Sequence, residues 1–208
     1  MTLPKFLIPA AMAIGVASAT VGPTAPAHAA PHVANIGATD IVLPLPPGFV
    51  EASAVSPDTW AKAEKAAPAD SRLIGVFIEE GQPVAGRSMQ RYFLLHTTRS
   101  LEGTAVTADE FGQVKPTIRK KFDDLAADVK DVSGPFGVFN DVKTSLSVLS
   151  ITPATASANR VAYSVTTAVV KGKMLDMYVY STYRDERDAA WVREATLKWL
   201  PRLQASNR

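Results

Sequence analysis

Tyr163, Tyr178 and Tyr180, with Tyr183 just beyond, are the residues whose types and spacing best fit a site. Aromatic rings with polar tips, gathered on one surface, can line a binding groove. They gather only if 159–170 and 174–183 fold as a hairpin. A two-residue loop at Lys171-Gly172 pairs Val170 with Lys173, and that register sets Tyr163 opposite Tyr180 and Val165 opposite Tyr178. One face of the hairpin is then aromatic. The competing reading of the same tyrosines is a sheet face covered by the closing helix, which carries two tryptophans. His96 alternates with Tyr92, Leu94 and Thr98 along another β-prone run and joins Tyr163, Tyr178 and Tyr180 as a candidate ligand-binding residue.

Catalytic chemistry finds less support. His32 and His96 are the only histidines past residue 29, and their separation makes no two-histidine metal motif. Gly86-Arg87-Ser88-Met89-Gln90 lacks the second glycine of a nucleophile elbow. Glu79 and Glu80 adjoin a strand end, where neighbouring side chains point to opposite faces, so they are badly placed to act as a carboxylate pair. Lys115, Arg119, Lys120 and Lys121 could receive an acidic partner, but Asp123 and Asp124 follow at once and quench the patch in part. No catalytic, metal or cofactor residue is assigned. The alternative to a binding function is an envelope hydrolase, whose site would bring His96, Glu79 or Asp176 to a Ser or Tyr in three dimensions.

The elements that must position these residues follow from pattern. Asp40 to Leu45 reads as a short first strand, confined to an edge by Pro44, Pro46 and Pro47. Ser56-Pro57-Asp58 opens a short helix over 57–66, since Ser caps and Pro suits the first helical position. Leu73–Glu79 and Gln90–Thr98 form an antiparallel pair around the turn-rich 81–86 segment. Thr107-Ala108-Asp109-Glu110 has capping-box spacing, and Phe111, Val114, Ile118, Phe122, Leu125 and Val129 continue it as one apolar stripe. Pro116 predicts a kink or break near 113–115. After Gly134-Pro135 come strands at 136–142 and 145–152, the tyrosine hairpin, and a helix capped by Asp185 and frayed at Pro201. Val192, Thr196, Trp199 and Leu203 share its inner face. The expected fold is α+β: an antiparallel sheet of about six or seven strands packed by a long middle helix and a C-terminal helix.

The first 29 residues set the address. Lys5 is followed by the apolar run Phe6 to Thr20 and by small residues up to Ala27-His28-Ala29, which is the order of a secretory signal with an A-x-A cleavage site. The run is too short for a membrane anchor and holds Pro9 and Gly15. The expected organisation is a signal over 1–29, a flexible lead-in over 30–39 and one domain over 40–208. A mature chain of about 180 residues suits a single core. Its charge is nearly balanced, which gives no reason to expect nucleic acid or an anionic membrane as partner. The expected location is the periplasm or the medium, and the expected partner a protein or small ligand of the cell envelope. The chain has no Cys, so packing must hold the fold without disulfides.

Leu45-Pro46-Pro47-Gly48-Phe49, Asp109-Glu110-Phe111, Lys171-Gly172-Lys173 and Asp188-Ala189-Ala190-Trp191 give the chain its resemblance to the PsbP-like fold group. That group includes the photosystem II extrinsic subunit, Ran-binding proteins of the Mog type and bacterial periplasmic proteins of the DcrB type. The resemblance spans about 40–203 and implies an α/β/α sandwich with an accessory or binding role. It carries over no site residue.

Overall fold

The structure, a computed structural model, describes residues 31–81, 90–127, 137–152 and 160–208, with backbone alone at 125–127. The signal segment 1–29, the elbow-like Gly86 to Met89 and the Gly134-Pro135 exit lie outside the described residues. The fold is α+β. Seven antiparallel strands form one sheet in the order β3-β4-β5-β9-β8-β7-β6. These are β3 (Phe49–Glu51), β4 (Ser71–Glu79), β5 (Arg91–Thr98), β6 (Gly137–Val142), β7 (Ser145–Ile151), β8 (Val161–Val170) and β9 (Lys173–Thr182). The chain begins with a separate hairpin of β1 (His32–Ile36) and β2 (Thr39–Leu43).

The lead-in expected over 30–39 is therefore largely structured. Ala34 and Ile36 alternate with exposed residues, pair across to Ile41 and Thr39, and bury their side chains in the core. Short, small residues conceal a strand whose stability comes from its partner rather than from propensity. Gly37 makes the connecting turn possible with φ of +61°, and a side chain there would run into the Glu102 carbonyl.

Each strand shows alternate residues to opposite faces, and both faces of the sheet are packed. On one, α4 (Glu186–Ala205) lies across β8 and β9, burying Ala189, Val192, Trp199, Leu200 and Leu203 against Phe77, Phe93, Met177 and Val179. Trp199 meets Phe77 and Phe93 edge-on, each at 5.4 Å, and its indole N–H donates to the Pro44 carbonyl at 2.7 Å. Ser164 and Thr196 share a buried hydroxyl contact of 2.6 Å under the same helix. On the other face lie α1 (Ala52–Val55) and α2 (Pro57–Ala66) against β4, and α3 (Ala108–Ala127) against β6 and β7.

The capping box forms as the spacing predicts: the Thr107 amide and hydroxyl donate to Glu110 Oε2, and the Glu110 amide donates back to Thr107 Oγ1 at 3.2 Å. Phe111, Ile118 and Phe122 are the buried stripe. Pro116 does not break α3, which runs unbroken through it. The carbonyl that loses its donor is that of Gly112, on an exposed turn where water can replace the bond. Pro201 likewise sits inside α4 without ending it, for its missing amide would have faced the exposed Leu197.

The hairpin β1-β2 is tied to the end of α4 by Asn207. Its amide donates to the carbonyls of Val42 at 2.7 Å and Leu203 at 2.8 Å, and its Oδ1 accepts from the Val42 amide at 2.8 Å. Three backbone groups depend on one buried side chain. Replacing it, Asn207→Ala, is expected to cost about 2–4 kcal/mol by leaving them unpaired. Urea unfolding of the two proteins measures this, and a loss under about 0.5 kcal/mol would show that the clamp does not hold the hairpin.

Candidate functional site

Strand register assembles the site. Tyr163 pairs with Tyr180, Val165 with Tyr178 and Val170 with Lys173, as the two-residue turn at Lys171-Gly172 requires. β5 adds a third strand, setting Tyr92 opposite Tyr180, Leu94 opposite Tyr178 and His96 opposite Asp176. Asp176 in turn faces Thr167 on β8. Period-two alternation puts all of these on the face away from α4. The expectation that the closing helix and its tryptophans cover the tyrosines is thus overturned: α4 took the face bearing Ser164, Met177 and Val179. Alternation tells which residues share a face, but not which face a helix will cover.

The tyrosines stack as plates. Tyr92 and Tyr180 lie 4.5 Å apart at 14°, Tyr163 and Tyr180 5.8 Å apart at 22°, and Tyr178 and Tyr180 6.2 Å apart at 11°. His96 tilts against Tyr178 with ring centroids 5.3 Å apart. The helix contacts on this face are α2 on β4 and α3 on β6 and β7, and Tyr163, Tyr178 and Tyr180 belong to the same buried cluster as Ala63 of α2 and Phe111, Ile118 and Phe122 of α3. It is not a solvated surface: Tyr163, Tyr178 and Tyr180 retain 7–8% exposure, Asp176 5% and His96 2%.

Two members of the row are polar groups that burial makes expensive. Both ring nitrogens of His96 lack a hydrogen-bond partner, and burial lowers its pKa to about 4, so the ring is neutral at physiological pH. Burial raises the Asp176 pKa to about 6, against a bond from the Thr167 hydroxyl at 2.7 Å that favours the carboxylate, with Asp70 adding to the rise. Burial also raises Tyr178 and Tyr180 well above the ordinary phenol range, and nearby Asp176 pushes Tyr178 the same way. All the tyrosines are neutral donors and acceptors.

The sequence reading placed His96, Tyr163, Tyr178 and Tyr180 together, and the structure brings all four into one row. Tyr183 does not join them, for its ring holds the Arg160 guanidinium and its hydroxyl meets Glu186. Tyr92, Thr167 and Asp176 are members that the candidate set omitted, although continuing the alternation through all three strands would have found them. The hydrolase alternative needs a Ser or Tyr hydroxyl aligned with a base. Neither nitrogen of His96 meets one, and the acid–hydroxyl contact in the row is Asp176 with Thr167. Glu79 lies elsewhere, 3.6 Å from Arg91. The basic group on α3 is engaged too, Lys115 and Arg119 both reaching Asp141 of β6 at 2.6 and 3.0 Å.

Across the sheet, a cleft of about 250 Å³ opens between the Pro46-Pro47 turn and α4. Phe49, Phe93 and Trp199 floor it, and Trp191, under the Arg91 guanidinium at 4.4 Å, forms a wall. It is largely apolar, with Glu194 and Lys198 paired at its rim.

His96 and Asp176 make opposite contributions to stability against pH. A histidine held below its ordinary pKa costs stability as pH falls from about 6.5 to 4, because the unfolded chain takes the proton first. An aspartate held above its ordinary pKa costs stability as pH rises from about 3.8 to 6, because the folded chain keeps the proton longer. Each is worth about 3 kcal/mol over its window, and the two offset where the windows overlap. Relative to wild type, Asp176→Asn is therefore expected to gain about 3 kcal/mol between pH 4 and 6, and His96→Phe to lose about as much of its advantage over the same rise. Urea titrations at stepped pH read both differences, and parallel wild-type and variant profiles would contradict the buried placement.

No family model matches the chain, and no curated protein matches it. Among solved structures it is similar to the Saccharomyces cerevisiae Ran-binding protein Mog1p, at 11% identity and a TM-score of 0.35, over 81% of this chain and 86% of that one.

Proposed function

We propose that this chain is exported to the cell envelope, in the periplasm or the medium, and acts there as a binding or accessory protein rather than as a catalyst. Export is supported by the charged, apolar and small-residue order of 1–29 and its Ala27-His28-Ala29 site. The absence of Cys from the sequence removes any need for disulfide formation on arrival.

The binding role rests on one observation, the two unpartnered ring nitrogens of His96 at 2% exposure. A buried polar atom without a partner costs about 1–3 kcal/mol, and folds as a rule satisfy such atoms with protein or ordered water. Here the cost falls beside a buried carboxylate and a row of tyrosines, where aromatic surface is combined with convergent polar groups. Hydrogen-bonding capacity that the fold itself does not use is available to a guest. The occupant is a small ligand, or a short segment of a partner, seated against the tyrosine row at His96.

Mass spectrometry of the protein purified gently from its host's envelope fraction tests both parts. Under denaturing conditions the chain is expected to begin at Ala30; a species still carrying 1–29 overturns export with cleavage. Under native conditions wild type is expected to carry a discrete added mass that His96→Phe loses. Equal, unadorned masses for the two proteins would remove the support for a site at His96.

A further inference from the structure

Charge in the tyrosine row is one-sided. Asp176 is buried on the central strand β9, and among the described residues no Lys or Arg forms an ion pair with it. The charged group that acts on it is Asp70, in the turn just before β4, which is another acid and acts on Tyr178 as well. Buried carboxylates are as a rule paired with a cation, because desolvating a lone charge costs several kcal/mol. Opposite it on β5 stands His96, neutral, with a free ring-nitrogen lone pair and no donor to fill it. Directly paired residues on one sheet face hold their Cβ atoms roughly 5 Å apart. The Tyr178 ring flanks His96 with centroids 5.3 Å apart and presents a π surface. The row thus offers a carboxylate, a neutral nitrogen acceptor and aromatic faces, each attractive to positive charge.

On the reading that this face binds a ligand, we propose that the ligand is a small organic cation bearing N–H donors, an alkylammonium group seated between His96 and Asp176 against the Tyr178 ring. Its N–H bonds would satisfy the His96 acceptor and the carboxylate lone pairs that Thr167 leaves open. Its charge would supply the counterion that Asp176 lacks, and its alkyl chain would lie along the stacked tyrosines. A metal ion fits less well, since no group of three or more His, Cys, Asp or Glu among the described residues could hold one.

The probes are n-butylammonium, n-butanol and butyrate, which share a chain and differ in charge. Calorimetric titration of the mature protein at pH 7.5 is expected to show n-butylammonium binding at least tenfold tighter than either of the others. Asp176→Asn should abolish that preference while keeping a cooperative melting transition. His96→Phe should weaken n-butylammonium several-fold, since it removes the acceptor but leaves the carboxylate. If n-butanol or butyrate binds as tightly as n-butylammonium and His96→Phe weakens it, the ligand reading survives and the cation assignment is overturned. Equal n-butylammonium affinity in wild type and Asp176→Asn overturns it too. If no probe binds wild type, both the assignment and the ligand reading at this face fail.

Discussion

A β-strand can hide only one of its faces behind a given layer, and here β8 and β9 are buried on both. That constraint divides the molecule. Every second residue of the central strands serves α4, and the residues between serve α2, α3 and one another. Sliding β9 past β8 by a single residue would set Tyr163 opposite Val179 or Ser181 and turn Tyr178 and Tyr180 toward α4, breaking the row. The tight turn at Lys171-Gly172 prevents the shift. Lys171 accepts φ of +50° and Gly172 φ of +74°, the left-handed pair that a two-residue loop demands. The site therefore depends on the turn as much as on the side chains that form it.

The two layers are built on different physical terms. Under α4 the packing is conventional, with Trp199, Phe77 and Phe93 interlocked edge-to-face and one hydroxyl pair between Ser164 and Thr196. This layer supplies stability that a cysteine-free domain must find without cross-links. The opposite layer is apolar at its flanks and polar at its centre. His96 and Asp176 reduce stability there at neutral pH, and a fold selected for stability alone would have placed aliphatic residues at both positions. Polar groups held at such a cost in the middle of a sheet are consistent with a surface shaped for a guest.

Much of this was legible from pattern. The capping box at Thr107 and Glu110, the Ser56-Pro57 helix start, the Asp185 cap and the residue pairs of the tyrosine hairpin are local, and short-range stereochemistry determines them. The misreadings are non-local. β1 was hidden because His32 to Ile36 is a strand only in the company of β2 and the end of α4. Pro116 predicts a kink or break and Pro201 a frayed end because the rule counts a lost hydrogen bond, whereas both helices run on where the carbonyls of Gly112 and Leu197 lie on exposed turns that water can reach. The side of the sheet chosen by α4 was invisible, for the strand runs are apolar enough on both faces. Gly75 beside the β4 bulge is a further case. A side chain there would press on Leu43 at 3.1 Å and Phe77 at 3.2 Å, which only the docked hairpin reveals.

The bond between Val42 and Asn207 spans 165 positions of the chain. Contacts of that sequence separation close last, because the loop entropy must be met before they return anything. A chain emerging N-terminus first from a ribosome therefore presents the β1-β2 hairpin long before the residue that fastens it has been made. Until then Ile36, Ile41 and Leu43 have no lid. The arrangement delays completion of the native state until residue 207 is in place, so the first hairpin stays unfastened for nearly the whole length of the chain.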